Sequence, residues 1–171
     1  MHKNLKEGKR EIKFKEHDIA FIFGDLNFRL NLNNYECRAM IKKKQYDLLK
    51  TFDQFKVEKT TNPNLVDIEE GDLNFDPTYK FDIRTNEYDT SKKKRVPSWC
   101  DRIFWKKNNN IKQIKYNSVN YLNSDHRPVY GLFKIKYERS YEDFVCNTEE
   151  VKTKSNKNIK QVTKFKGIQY N

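Results

Sequence analysis

At 171 residues the chain has room for one compact domain burying well over half of its unfolded surface, and no room for a second full one. A net charge of +11 with 35% charged residues excludes an acidic, ion-buffering protein and predicts a densely ionised surface. Hydrophobics at 36% and a mean hydropathy of −1.05 lean toward disorder, but 14% aromatic residues predict a packed core carrying long polar loops.

No apolar run approaches the roughly 20 residues that cross a bilayer, and Met1 to Lys15 builds no signal-peptide core, so a cytosolic location is expected. Cys37, Cys100 and Cys146 are far apart and form no CxxC pair, so free thiols are expected rather than a disulfide framework or a zinc site.

Residues 1–17 read as a basic polar leader. Ile19-Ala20-Phe21-Ile22-Phe23, uncharged and stopped by Gly24, predicts a strand buried on both faces. Asn33 or Asn34 offers a helix cap, with Glu36 completing a capping box to Asn33, and Leu48, Leu49, Phe52 and Phe55 keep one helical face to about Lys56. Two short helices, or one broken one, fit that stretch. From Val57 to Ser98 the prolines at 63, 77 and 97 and Gly71 predict loops with at most short strands. Ile103-Phe104-Trp105 is a short strand, and Val129, Gly131, Phe133, Ile135 and Tyr137 alternate with Lys134 and Lys136 as in a half-buried one. The core then ends at about residue 138. Residues 139–171, with six lysines and no acid between 151 and 166, read as a flexible basic tail.

Gly24-Asp25-Leu26-Asn27 follows the first strand directly, and the two-residue side-chain period puts Asp25 and Asn27 on the same side of its end. A carboxylate can orient or deprotonate water and a carboxamide can donate to a phosphoryl oxygen, although Gly, Asp and Asn are also common at any strand-to-turn junction. Ser124-Asp125-His126 precedes the last strand. His2 and His17 belong to the leader, so no polyhistidine metal site can be built, and His126 fits either a site residue or a strand-end cap. Asp101 and Arg102 sit beside Trp99, and Arg suits phosphate because its planar fork binds two oxygens. Lys92 to Arg95 is a run of four cations, and Tyr79-Lys80 adds an aromatic and another cation; charge runs are commonly just solvated surface. A cysteine-dependent phosphatase is excluded, because the residues six positions beyond the cysteines are Lys43, Lys106 and Lys152 instead of Arg. Nor do the five scattered glycines make a phosphate-binding loop.

In order, FIFGDLNFRL (21–30), FDPTYKF (75–81), KKKRVPSWCDRIFW (92–105) and SDHRPVYGLF (124–133) resemble the signature blocks of the inositol polyphosphate 5-phosphatases. FDQF (52–55) and YDTS (88–91) are similar too, so the resemblance covers roughly residues 17–137. It implies an α/β fold: part of a two-sheet α/β sandwich of the endonuclease/exonuclease/phosphatase type, its N-terminal half missing. By position, Asp25 matches the acid that activates water, Asn27 the amide on the scissile phosphate, and Asp101 with His126 the pair stabilising the phosphoryl group, with Asp125 beside the metal and water. Tyr79, Lys80, Lys93 and Arg95 match the cluster gripping the 4-phosphate of the inositol ring, and Arg102 lies in the same block. The implied reaction is Mg2+-assisted, in-line attack of water on the 5-phosphate of a phosphoinositide headgroup or a soluble inositol phosphate, with no covalent enzyme intermediate.

The family's main Asn and Glu metal ligands precede the GDLN block, and residues 1–18 contain no such motifs. The chain therefore resembles only the C-terminal half of the catalytic domain. It is expected to be a partial sequence or truncated product that releases no phosphate alone, with a missing N-terminal half as one partner. The alternatives are an inactive relic that holds anionic membranes through its cations and, less favoured, a nuclease of the same superfamily; nucleic acid is not an expected partner. The location implied is cytoplasmic, peripheral to the cytosolic face of membranes.

Overall fold

The computed structural model describes residues 13–137; the first twelve residues of the leader, the tail and Cys146 lie outside the described residues. The strands are β1 (Phe21–Asp25), β2 (Ile68–Glu70), β3 (Asp101–Lys106), β4 (Ile111–Ser118) and β5 (Val129–Ile135), and the helices α1 (Asn34–Lys42), α2 (Tyr46–Lys50) and α3 (Gln54–Thr61). Short 3-10 turns cover Phe14–Glu16 and Pro63–Leu65. These strands and helices occupy one α/β unit.

β1, β3 and β2 form one antiparallel sheet in that order, and β4 and β5 form an antiparallel hairpin. The sheets stack through Phe133 of β5, whose ring lies 5.0 Å from Phe21 and 5.2 Å from Trp105. On the opposite face, Phe104 of β3 stacks on Phe55 of α3 at 4.2 Å, with Phe28 at the edge of both rings. Helices, first sheet and second sheet are therefore successive layers, as the sandwich expectation requires. A second cluster under α1 and α2 gathers Leu30, Cys37, Ile41, Leu49, Leu73, Phe75 and Trp99. There the Trp99 indole N–H donates to the Phe75 carbonyl at 3.0 Å.

Asn33 caps α1 by accepting from the Glu36 backbone N–H at 2.9 Å, but the Glu36 carboxylate accepts from the Asn33 side-chain amide in place of the Asn33 backbone N–H, so the cap forms without the reciprocal bond of the expected capping box. The following helical stretch breaks twice rather than once. α3 starts afresh at its own cap, Asp53, which accepts from the Lys56 N–H at 3.1 Å, and α3 continues past Lys56 to Thr61.

Two expectations need correction. β1 forms, but it is not buried on both faces: it is hydrogen-bonded to β3 alone, and Phe133 covers Phe21 while Phe23 stays 73% exposed. Arg102 is no phosphate ligand, because it is wholly buried and its valences are already filled. Its Nε donates to Glu70 Oε1 at 2.5 Å and its Nη2 to Glu70 Oε2 at 2.6 Å, while Nη1 reaches Asp53 Oδ2 at 2.9 Å and the Trp99 carbonyl at 3.2 Å. Phe28, Phe55 and Phe104 surround the guanidinium at 5.4–5.8 Å. Burial is the largest influence and works against the charge, but Glu70 and Asp53 together outweigh it and hold the guanidinium protonated.

β4 was not read from sequence. IKQIKYNS carries no clean alternation because a bulge between Gln113 and Lys115 shifts the register, so apolar residues do not recur at every second position.

Arg102→Met should cost about 3–5 kcal/mol, the scale expected when buried charges lose their partner. Urea unfolding checks this; an unchanged midpoint would show that the buried cluster does not hold the layers together. Asn33→Ala should cost about 1 kcal/mol through the lost cap, read in the same transition.

Candidate active site

The antiparallel register of β1 and β3 sets Asp25, the last residue of one strand, directly opposite Asp101, the first of the other. Two acids therefore face each other where the sheet ends. The chain leaves β1 through Gly24 at φ +135° and Asn27 at φ +58°, conformations that suit Gly and Asn. The Asn27 backbone N–H donates to Asp25 Oδ1 at 3.0 Å while the Asn27 carboxamide is bound by Arg29, so the two residues meet through the main chain of Asn27 and not by the strand's side-chain period.

His126 arrives from the loop before β5. Its Nδ1 lies 3.0 Å from Asp101 Oδ2, and its Nε2 lies 4.0 Å from Asp25 Oδ2. The ring therefore joins the two acids and belongs to the site rather than serving as a strand-end cap. Thr78 Oγ donates to Asp101 Oδ2 at 2.7 Å and fixes the carboxylate that orients the imidazole. The loop itself is pinned by buried Arg127, which donates to the carbonyls of Tyr121 and Ser124 at 3.0 Å and stacks 3.8 Å over Phe81.

Tyr79 bridges by backbone pairing to both Ser98 and His126, and its ring lies 4.5 Å from the imidazole. Arg29 sits 4.5 Å over that ring, and its Nη2 donates to Asn27 Oδ1. These side chains open onto a cleft of about 450 Å³ lined by Asn27, Arg29, Leu30, Tyr79, Arg95 and Ser98, among others.

Arg95 is delivered to the cleft by a braced loop. Asn34 of α1 donates to the carbonyls of Lys94 and Arg95, both at 2.9 Å. Buried Asp89 accepts from the Arg95 N–H at 2.8 Å and the Ser91 N–H at 3.1 Å. Burial works against ionising Asp89, but the hydrogen bonds from Ser91 and Arg95 win and hold its carboxyl below the ordinary 3.8.

Of the residues singled out by sequence, Asp25, Asn27, Tyr79, Asp101, His126 and Arg95 converge. Lys80 lies beside Asp125, Nζ to Oδ2 at 3.8 Å, at the flank of the same loop. Lys93 is exposed on the braced loop and does not line the cleft. Arg102 lies in the core, behind Asp101 on β3. Arg29, Thr78, Asn34 and Asp89 were missed. Arg29 had a legible signal, since it follows Asn27 by two residues inside the same sequence block; the other three act through tertiary contacts. Cys100 donates to the Phe28 carbonyl at 3.6 Å, and burial pushes its thiol up to about 12, so it is no nucleophile.

Among the described residues, no group of three or more His, Cys, Asp or Glu side chains could hold a metal ion. Asp125, named above as the residue beside the metal, pairs with Lys80 instead of joining other carboxylates.

The family model described as endonuclease/exonuclease/phosphatase family 2 matches residues 1–132. The chain belongs to this family. It is 34% identical over 162 residues to the type II inositol 1,4,5-trisphosphate 5-phosphatase of Mus musculus, covering 89% of this chain and 16% of that protein. The inositol polyphosphate 5-phosphatase domain of SPsynaptojanin, solved with inositol (1,4)-bisphosphate and calcium ion, superposes with a TM-score of 0.63 at 36% identity, covering 71% of this chain and 37% of that one. Cimex nitrophorin, solved as its ferrous NO complex, superposes comparably, with a TM-score of 0.63 at 34% identity over 73% of this chain and 44% of that one. The chain thus spans less than half the length of each.

Because the Asp89 carboxyl is depressed, its contribution to the loop is complete above the ordinary value of 3.8 and is lost as pH falls through its lower folded value. The protection factors of the Ser91 and Arg95 amides should therefore stay high from neutral pH down to about 4 and fall below it. Protection that fades already near neutral pH would contradict this bracing.

Proposed function

We propose that this chain carries the phosphate-gripping and acid–histidine part of a phosphomonoesterase acting on the 5-phosphate of inositol rings, lipid-borne or soluble. The observation carrying this reading is the convergence of Asp25, Asp101 and His126 at paired strand ends, beside a cleft bearing two guanidinium groups. A fold shared with a nitrophorin cannot decide chemistry, so the reading rests on these side chains.

In this account a ring phosphate sits between Arg29 and Arg95, each able to hold two oxygens. Asp101 accepts from His126 Nδ1–H, and with both ring nitrogens protonated the Nε2–H on the other side of the ring donates to a phosphoryl oxygen. Asn27 commits its carbonyl oxygen to Arg29 and offers its amide N–H to the same phosphate. Asp25 orients a water molecule for in-line attack and accepts its proton as the new P–O bond forms, while the P–O bond to the ring breaks on the far side and the departing ring oxygen takes a proton from solvent water. The Mg2+ that the family resemblance implies does not fit a three-ligand group among the described residues, and no step is assigned to it. A substrate of this class calls for a cytosolic protein with access to the inner membrane surface.

Titration calorimetry of the chain with inositol 1,4-bisphosphate and with unphosphorylated inositol tests the reading. Binding should need the phosphates and weaken at least tenfold in Arg95→Ala and in Arg29→Ala, consistent with about 1.5–3 kcal/mol for a charge-assisted hydrogen-bond pair. Equal affinity for plain inositol, or binding indifferent to both substitutions, would sink it.

A further inference from the structure

The outer face of the β4–β5 hairpin carries a second cationic feature, remote from the cleft. Between residues 106 and 137 the sole acid is Asp125, which lies in the site loop. In the hairpin register, Lys112 stands directly opposite Lys134, and Lys115 opposite Leu132. Like charges opposite each other across strands are destabilising, so the pair gains nothing for the fold. Lys112, Lys134 and Lys136 edge a cleft of about 370 Å³ with Asn109, Asn110 and Ile114. Among the described residues no carboxylate pairs with these three lysines.

Two aliphatic side chains stand exposed among the cations, Ile114 at 53% and Leu132 at 56%. Meanwhile Phe133 on the inner face is packed on Phe21 and Trp105, so the inner and outer faces have different tasks. Lysines with long apolar stems around aliphatic tips match a lipid interface, where the ammonium groups meet phosphates and the tips enter the headgroup layer. A nucleic-acid surface would favour arginine forks and stacking aromatics, and this cleft has neither. At about 3.3 Å per residue, Lys134 lies roughly 17 Å along β5 from Val129, so the patch is separate from the acid–histidine end.

We propose that the outer face of β4–β5 is a docking surface for anionic phospholipid membrane, with Lys112, Lys134 and Lys136 contacting headgroups and Ile114 and Leu132 dipping into the interface. The surface stands on the hairpin's own charges and does not depend on the chemistry assigned to the cleft.

The test is co-sedimentation of the full chain with phosphatidylcholine vesicles, with and without phosphatidylserine. The wild type should bind only the anionic vesicles. The Lys112→Ser, Lys134→Ser, Lys136→Ser triple variant should bind roughly fivefold more weakly per lysine removed, on the order of a hundredfold in total. Its affinity for soluble inositol 1,4-bisphosphate should be unchanged, which separates this proposal from the function assigned to the cleft. Because all three side chains are exposed and the Lys112–Lys134 repulsion is relieved, an unfolding midpoint no lower than that of the wild type is expected. As a second readout, Leu132→Trp should shift its emission to the blue on adding anionic vesicles. A triple variant that binds vesicles like the wild type overturns the proposal. So does a Leu132→Trp emission that ignores them, or a wild type that passes over anionic vesicles while binding duplex DNA through the same lysines.

Discussion

The structure turns on one buried guanidinium. Arg102 receives the Glu70 carboxylate from β2 and the Asp53 carboxylate from the cap of α3, so a single side chain fastens helix layer and sheet together through three phenylalanine rings. An unpaired cation there would be costly, and so would either acid without it. The pairing therefore fixes the position of β3 within the layers. Asp101, the neighbouring residue, points the other way along the pleat and into the site. Core and chemistry thus lie on adjacent residues of one strand.

The rest of the site is assembled by convergence, not by any one element. Strand pairing brings Asp25 to Asp101, and a Thr78 hydroxyl and the His126 ring complete the acid's surroundings. Arg127, in the next position of the chain, repeats the logic of Arg102: a buried guanidinium directs its donors to carbonyls and leaves its neighbour free to act. The cleft's own cations are the arginines left solvent-accessible, Arg29 and Arg95. Burial separates the structural guanidiniums from the cleft-facing ones. Their sequence settings do not, since Arg95 and Arg102 stand in one block.

That distinction explains what could be read from the chain before folding. The cap at Asn33, the short strand around Phe104 and the last strand as far as Ile135 follow local rules and are present as expected. The Asp25, Asn27, Asp101 and His126 set was legible because strand ends and ordered motifs carry it. Arg102 was misjudged because Asp53 and Glu70, the partners that bury it, are 49 and 32 residues away in sequence. β4 escaped because a bulge interrupts its period, and the exposure of Phe23 escaped because an apolar run cannot say which neighbours its strand will find. Asn34, read only as a helix-cap candidate, and Asp89, read only as part of the YDTS stretch, show their bracing role once the loop is folded.

Both a 5-phosphatase domain and a nitrophorin resemble this fold at similar identity, so the account stands or falls on whether the cleft receives a phosphorylated ring. The most direct measurement is heteronuclear NMR of the labelled chain titrated with inositol 1,4-bisphosphate. The account predicts that shifts concentrate at the backbone amide of Asn27, the guanidinium groups of Arg29 and Arg95, and the His126 imidazole. Shifts confined to the lysine face of the hairpin, or absent from all four residues at saturating ligand, would contradict it.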